Sequence, residues 1–271
     1  MIDELFRIGS FSVSPFGVML VLALLSSYWQ LRRQMLRTGI GDEEDASAIV
    51  FTCGFLGIAG GKLYYAMLVQ DWSAFLSRAG IVWYGSLIAG LAGFVWVVWR
   101  RRLPMRRTLD AAAPALPLGY AVGRIGCLLV GDDYGVPSDV PWAMKFPNGL
   151  PPSTAGSLRH QFGVEVDPSI ADSTVLAVHP TQIYTSLAAF AIWGFALWLA
   201  GRGSLRPGRL LLVVLALLSV ERFLVEFLRA KDDRFFADTF TLAQLISVAL
   251  LVGVALVAWR WWRVEAPEAA S

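Results

Sequence analysis

The chain has 271 residues, 56% of them hydrophobic and 16% charged, with a net charge of +2 and a mean hydropathy of +0.57. That balance is too apolar for an ordinary soluble domain, and the small net charge gives no ground for nucleic-acid binding. The cysteines Cys53 and Cys127 make no disulfide framework and have no zinc-ligand spacing, so no metal or redox role is indicated and no cofactor is expected.

A helix crosses a hydrocarbon core about 30 Å thick with about 20 apolar residues, at about 1.5 Å per residue. Seven segments reach that length: 13 to 33, 47 to 69, 80 to 99, 109 to 130, 180 to 200, 209 to 228 and 239 to 260. The first follows Met1-Ile2-Asp3-Glu4-Leu5, which lacks the basic start of a signal peptide, and it reads as a retained span. The fourth contains Pro114, Pro117, Gly119, Gly123 and Gly126, so a broken or cavity-lining helix is expected there.

Charge alternates along the connections. Arg32, Arg33 and Arg37 follow the first span, and Arg100, Arg101, Arg102, Arg106 and Arg107 follow the third. Arg202, Arg206 and Arg209 follow the fifth, and Arg260 and Arg263 follow the seventh. The positive-inside rule makes that side cytoplasmic, which puts the N-terminus outside and the C-terminus inside. The other side carries a short segment from Asp71 to Arg78, a long loop from Gly131 to His179 and a short one from Lys231 to Asp238. No repeat or second domain is visible, so residues 1–271 read as a single integral-membrane domain with 131–179 as its external loop.

An ionisable residue inside a spanning helix costs at least ~2.5 kcal/mol on insertion scales, so it is expected to be paired or functional. In this orientation Lys62, Tyr64 and Tyr65 fall late in the second span, Tyr84 early in the third and Arg124 late in the fourth. His179 lies at the mouth of the fifth, and Arg222, Glu226 and Arg229 late in the sixth. All of these positions lie toward the external face. Arg222, Glu226 and Arg229 share one helix face at i, i+4, i+7. One reading of that stripe is an ion-pair ladder between helices. The other is a phosphate site, because two arginines beside one glutamate leave a surplus positive charge and Arg124 adds more. Convergent guanidiniums in an apolar setting hold a phosphate ester through paired hydrogen bonds, and the phosphate available at that depth is a phospholipid headgroup.

Three further features accompany these. His179 opens His179-Pro180-Thr181-Gln182-Ile183-Tyr184 and either caps the fifth span or transfers a proton. Cys127 reads as a small packing residue, since no neighbour in sequence activates its thiol. The stretch from Gly123 to Gly135 combines glycines that permit close backbone approach, an intramembrane Arg124, and two acids, Asp132 and Asp133, at the water boundary. The other account of its glycines is helix packing.

With Gly123-Arg124-Ile125-Gly126, Gly131, Tyr134-Gly135, Pro141-Trp142-Ala143, Phe146-Pro147, the motif from His179 to Tyr184, and Glu221-Arg222-Phe223-Leu224-Val225-Glu226-Phe227-Leu228-Arg229 in this order, most of the chain resembles the prolipoprotein diacylglyceryl transferases. The resemblance implies an all-α polytopic protein of the cell's inner membrane, with its active site toward the periplasmic face. It implies transfer of the diacylglyceryl group of phosphatidylglycerol to the lipobox cysteine thiol of a prolipoprotein signal peptide. Glycerol phosphate is released, in the first step of bacterial lipoprotein maturation. Arg124 then holds the headgroup and Arg222 is a second essential arginine. Gly85, Gly126, Gly131, Gly135, Glu226, Arg229 and Lys62 complete the candidate phosphatidylglycerol site, with Lys62 in place of an arginine. Asp132 matches the acid of the family's Gly-Glu-Leu-Trp-Gly stretch. Tyr84 stands where many members have a histidine, Cys127 replaces an asparagine, and Phe16-Gly17 replaces a Tyr-Gly pair.

The expected reaction is attack of the substrate thiolate on the glycerol carbon that bears the phosphate, with C–O cleavage. Arg124 and Arg222 stabilise the leaving phosphate, and Tyr84, Asp132 and His179 are the candidate bases. Two alternatives compete: a non-catalytic paralogue that binds phosphatidylglycerol or signal peptides, and a transporter or flippase. External clustering of the polar residues argues against a midplane pathway of the transporter kind.

Overall fold

The structure is a computed structural model that describes residues 4–8, 11–76, 80, 82–203, 205–231, 234–236 and 240–265. Arg78 and Asp238, which bound two of the expected external segments, lie outside these residues. Among the described residues the order is β1 (Phe6–Ile8), β2 (Phe11–Val13), α1 (Pro15–Thr38), α2 (Glu43–Val69), a 3₁₀ turn (Trp72–Phe75), α3 (Trp83–Arg100), α4 (Met105–Ala112) and α5 (Ala115–Val130). There follow β3 (Met144–Lys145), α6 (Ala155–His160), β4 (Ala177–Val178), α7 (Thr181–Arg202), α8 (Arg209–Glu226), β5 (Arg234–Phe236), β6 (Phe240–Thr241) and α9 (Leu242–Glu265). The strands pair two by two as antiparallel ribbons, β1 with β2, β3 with β4 and β5 with β6.

Each expected span corresponds to a helix, with α4 and α5 together in place of the fourth. The interruption falls at Ala113-Pro114, where proline supplies no N–H and its ring crowds the preceding turn. Ala113 keeps helical dihedrals, φ −52° and ψ −46°, so the interruption is a local loss of hydrogen bonding. Among the described residues, four stretches are long and apolar enough to cross a membrane: Glu43–Val69, Met105–Val130, Thr181–Arg202 and Leu242–Trp261. Tyr84–Arg100 is a shorter apolar helix, and α8 carries Arg209, Glu221, Arg222 and Glu226. The helices fit a multi-pass membrane protein.

The chain forms two compact units, one of Leu24–Ala115 and one of Met1–Ala23 with Leu116–Ser271. In the first, α2 begins at a reciprocal cap in which the Asp42 side chain accepts the Asp45 N–H and the Asp45 side chain accepts the Asp42 N–H. Glu43, Glu44 and Asp45 in its first turn complement the helix dipole, and Arg32 and Arg101 pair with Glu43 and Asp45 at 3.0 and 3.2 Å. Leu31, Met35, Ile49, Phe94 and Val98 form the core. Farther along, α2 and α3 touch at Gly60 and Gly85, where a Cβ on Gly85 would lie 2.4 Å from the Gly60 carbonyl oxygen.

In the second unit, residues 131–179 have a core of their own: Tyr134, Phe146, Leu158 and Val178, joined by Ala230. Tyr134 stacks on Phe146, with ring centroids 5.4 Å apart, and its hydroxyl donates to the carbonyls of Pro151 and Pro152, each at 2.9 Å. Those prolines lie in a stretch with no regular secondary structure, and Thr154 at its end caps α6 by accepting the Ser157 N–H.

Candidate active site

α5 ends at Gly131, whose left-handed φ of +74° is open to glycine at no steric cost. The N–H groups of Gly131 and Asp132 both reach the Cys127 carbonyl, at 2.9 and 3.2 Å. Asp133 is also left-handed, with φ +59°, a conformation that aspartate tolerates better than most residues. The start of α7 holds this turn. Thr181 Oγ1 donates to the Asp133 carbonyl at 2.6 Å, and Gln182 Nε2 donates to the Asp132 carbonyl at 2.6 Å. Both side chains are fully buried.

The turn delivers the Asp133 carboxylate between two guanidiniums. Its Oδ2 accepts from Arg124 Nη1 at 2.8 Å and its Oδ1 accepts from Arg229 Nη2. Arg229 Nη1 also lies 3.7 Å from Glu226 Oε2, which meets Arg222 Nη1 at 2.6 Å. Glu226 is fully enclosed, and its Oε1 accepts the Thr241 hydroxyl at 3.0 Å. One connected cluster therefore runs Arg124, Asp133, Arg229, Glu226, Arg222, with Thr241 tying it to the start of α9. The expected stripe on one helix face holds for Arg222 and Glu226 only, because α8 ends at Glu226 and Arg229 follows in a turn and bridge; Glu226 is a buried ion-pair partner.

Asp132 behaves differently from its neighbour. Its Oδ1 is buried and has no hydrogen-bond partner. Burial, reinforced by the charge of Asp133, pushes its carboxyl up to about 6. Burial also acts against an ionised Asp133, but Arg229 and Arg124 outweigh it and hold that carboxyl at about 2. Adjacent acids are thus driven apart into one permanent anion and one group poised near neutrality. Cys127 Sγ and the two carboxylates lie within 4.8 Å of one another. Arg124 Nη1 stands 3.5 Å from that sulfur and also binds Asp133, so arginine supplies the positive charge that a metal would otherwise bring to this trio.

Most predicted residues of this unit come together here: Arg124, Asp132, Arg222, Glu226 and Arg229, with Gly131 in the supporting turn. Gly135 joins the walls. A Cβ there would lie 2.3 Å from the Leu228 carbonyl oxygen and 2.7 Å from the His179 Cβ, so the backbone fits only as glycine. Gly126 instead packs against Met19 and Phe16 of α1. His179 does not cap α7, a correction to one of its two readings. The cap is Pro180, without a side-chain hydrogen bond. The imidazole Nδ1 meets the Tyr184 hydroxyl at 3.1 Å, and that hydroxyl accepts Trp142 Nε1–H at 2.7 Å. Tyr84, Lys62 and Gly85 belong to the Leu24–Ala115 unit, with Tyr84 in the first turn of α3, Lys62 in α2 and Gly85 in the α2/α3 contact.

Asp133, Thr181, Gln182 and Thr241 were not selected from the sequence. Asp133 had one signal, its place beside Asp132 at the water boundary. Thr181 and Gln182 lay inside the quoted motif, but their partners are about fifty residues away.

A family model for prolipoprotein diacylglyceryl transferase matches residues 3–260. The phosphatidylglycerol--prolipoprotein diacylglyceryl transferase of Geobacter sulfurreducens is 27% identical, covering 91% of this chain and 90% of its own. Those of Vibrio vulnificus (strain CMCP6) and Actinobacillus pleuropneumoniae serotype 3 are 29% and 28% identical, covering 95% and 97% of this chain. An arginine cluster assembled from the ordered motifs of such enzymes, on a helical frame matched almost end to end, leads to one conclusion: the chain belongs to the prolipoprotein diacylglyceryl transferase family.

Proposed function

We propose that the protein transfers the diacylglyceryl group of phosphatidylglycerol to the lipobox cysteine thiol of prolipoproteins, forming a thioether and releasing glycerol phosphate. The observation that carries this is the family match over residues 3–260. In the reaction the cysteine sulfur attacks the glycerol carbon bonded to the phosphate oxygen, the new C–S bond replaces the C–O bond, and the electron pair leaves with glycerol phosphate. A phosphodiester with one negative charge becomes a monoester that carries up to two. Fixed positive charge therefore stabilises the transition state more than the ground state, and Arg124 and Arg222 are assigned that work.

Asp132 is assigned as the base that takes the thiol proton, supported by its unpartnered buried oxygen and its near-neutral carboxyl. Arg229 belongs with Arg124 and Arg222 to the headgroup site, Glu226 positions Arg222 and Arg229, Gly126, Gly131 and Gly135 serve backbone approach, and His179 belongs to the Trp142–Tyr184 chain. Tyr84, Lys62 and Gly85 are assigned by the resemblance. The reading includes one integral-membrane domain with seven spans in the inner membrane. Its N-terminus is outside, its C-terminus is cytoplasmic, and residues 131–179 and the site are toward the periplasm; the alternating arginine-rich connections support this.

The test supplies phosphatidylglycerol and a lipobox peptide to the purified protein in detergent. Thioether-linked lipid by mass, together with released glycerol phosphate, is the expected result. No product where a control enzyme works rejects transfer and leaves a phosphatidylglycerol- or signal-peptide-binding paralogue.

A further inference from the structure

All three clustered arginines already hold an anion, Arg222 through Glu226 and the other two through Asp133. Asp133 presents one carboxylate oxygen to Arg124 and the other to Arg229, the same two-point grip that a phosphodiester would offer through its non-bridging oxygens. We propose that Asp133 is a built-in competitor for the headgroup phosphate: its carboxylate occupies the Arg124–Arg229 pair before the lipid binds, must swing aside for the lipid, and returns to help expel glycerol phosphate. This rests on the phosphatidylglycerol reading given above.

Exposure supports displacement. The Asp133 side chain is 39% exposed, whereas those of Arg124 and Arg229 are 9% and 7% exposed. The carboxylate is therefore the accessible member of the trio. Its backbone does not need to follow, because Thr181 and Gln182 fix the carbonyls of the turn from the α7 side, so side-chain rotation alone releases the anion. The arginines also keep other partners without it. Arg229 retains Glu226 at 3.7 Å, and Arg124 retains the Cys127 sulfur at 3.5 Å. Asp133 is thus one anion among several around these guanidiniums, and the one that can leave.

The competition is uneven along the reaction. Asp133 brings a single charge throughout, whereas the phosphate gains a second as the C–O bond breaks. The carboxylate therefore opposes binding of the singly charged diester most, so its removal acts on KM before it acts on product inhibition or kcat.

The experiment compares the full-length protein with Asp133→Asn, which keeps an acceptor oxygen and the side-chain volume while removing the charge. Binding of phosphatidylglycerol in mixed micelles is measured directly, beside thioether formation and inhibition by glycerol phosphate. The variant is expected to bind the lipid about tenfold more tightly, with a matching fall in KM and a smaller tightening of product inhibition, the scale of one competing charge-assisted contact. Unchanged or weaker binding by a variant that still transfers overturns the proposal and makes Asp133 a strut for the arginines. If the wild type neither binds nor transfers phosphatidylglycerol, the functional reading fails and this inference fails with it. If Asp133→Asn does not fold, carbodiimide labelling of the wild type decides: modification of Asp133 should rise when phosphatidylglycerol is added, and unchanged labelling overturns the proposal.

Discussion

Gln182 Nε2 donates to the backbone carbonyl of Asp132 at 2.6 Å across fifty residues of chain. This bond fixes the acid turn from α7, and the side chain that makes it is fully buried. Gln182→Leu would leave the Asp132 carbonyl without its partner, at a cost of about 1–3 kcal/mol. A lower thermal midpoint and a reduced kcat are expected, with KM for phosphatidylglycerol changing less. A variant with wild-type kcat would remove the turn from the catalytic account.

Arg124 is 7% exposed and faces both Asp133 and the Cys127 sulfur. Arg124→Ala is expected to lower kcat/KM at least about 100-fold, the loss typical of one preorganised charge-stabilising donor. Arg124→Lys keeps the charge without the planar fork and should recover only part of it. Full activity of the alanine variant in the thioether assay would reject the assignment.

The acid pair predicts two opposite pH responses. As a base, Asp132 works only when ionised, so kcat/KM should fall as pH drops through about 6, and Asp132→Asn should lower kcat/KM about 100-fold or more while abolishing that limb. For stability, a folded value above the ordinary value near 3.9 means that the Asp132 contribution is full below about 4 and is lost as pH rises through about 6. Asp133, held at about 2, contributes above about 4 and loses that contribution as pH falls through about 2. Thermal melts of Asp132→Asn and Asp133→Asn against wild type across both windows separate the two contributions.

Gly135 lies where a Cβ would meet the Leu228 carbonyl oxygen at 2.3 Å and His179 at 2.7 Å, and its N–H donates to the His179 carbonyl at 2.8 Å. Backbone cannot yield as a flexible side chain does, so Gly135→Ala should destabilise by about 1–3 kcal/mol and depress activity through displaced Asp133 and Arg229. A melt and activity equal to wild type would contradict this packing.

The proposed orientation is testable with single cysteines in a background where Cys53 and Cys127 are replaced. Ser169→Cys, in the 131–179 segment, should react with an impermeant maleimide added outside the inner membrane. Arg102→Cys should react only after permeabilisation. The reverse pattern would invert the topology.

Apolar length and the placement of arginines were readable in order along the chain, because both the cost of unpaired backbone in lipid and the length needed to cross it act on contiguous residues. Helix positions therefore followed closely, including the interruption at Pro114. The Arg222–Glu226 pair was equally local, at i, i+4 on α8, whereas Arg229 lies past the end of that helix, where it bridges to Gly135. The choice between Asp132 and Asp133 was of another kind. Which acid meets the arginines depends on a left-handed turn after Gly131, on Thr181 and Gln182 from α7, and on Arg229 arriving from the end of α8. Neighbouring acids in a sequence are chemically alike, and only tertiary structure, by burying one oxygen without a partner and giving the other carboxylate two guanidiniums, makes one a candidate base and the other a fixed anion.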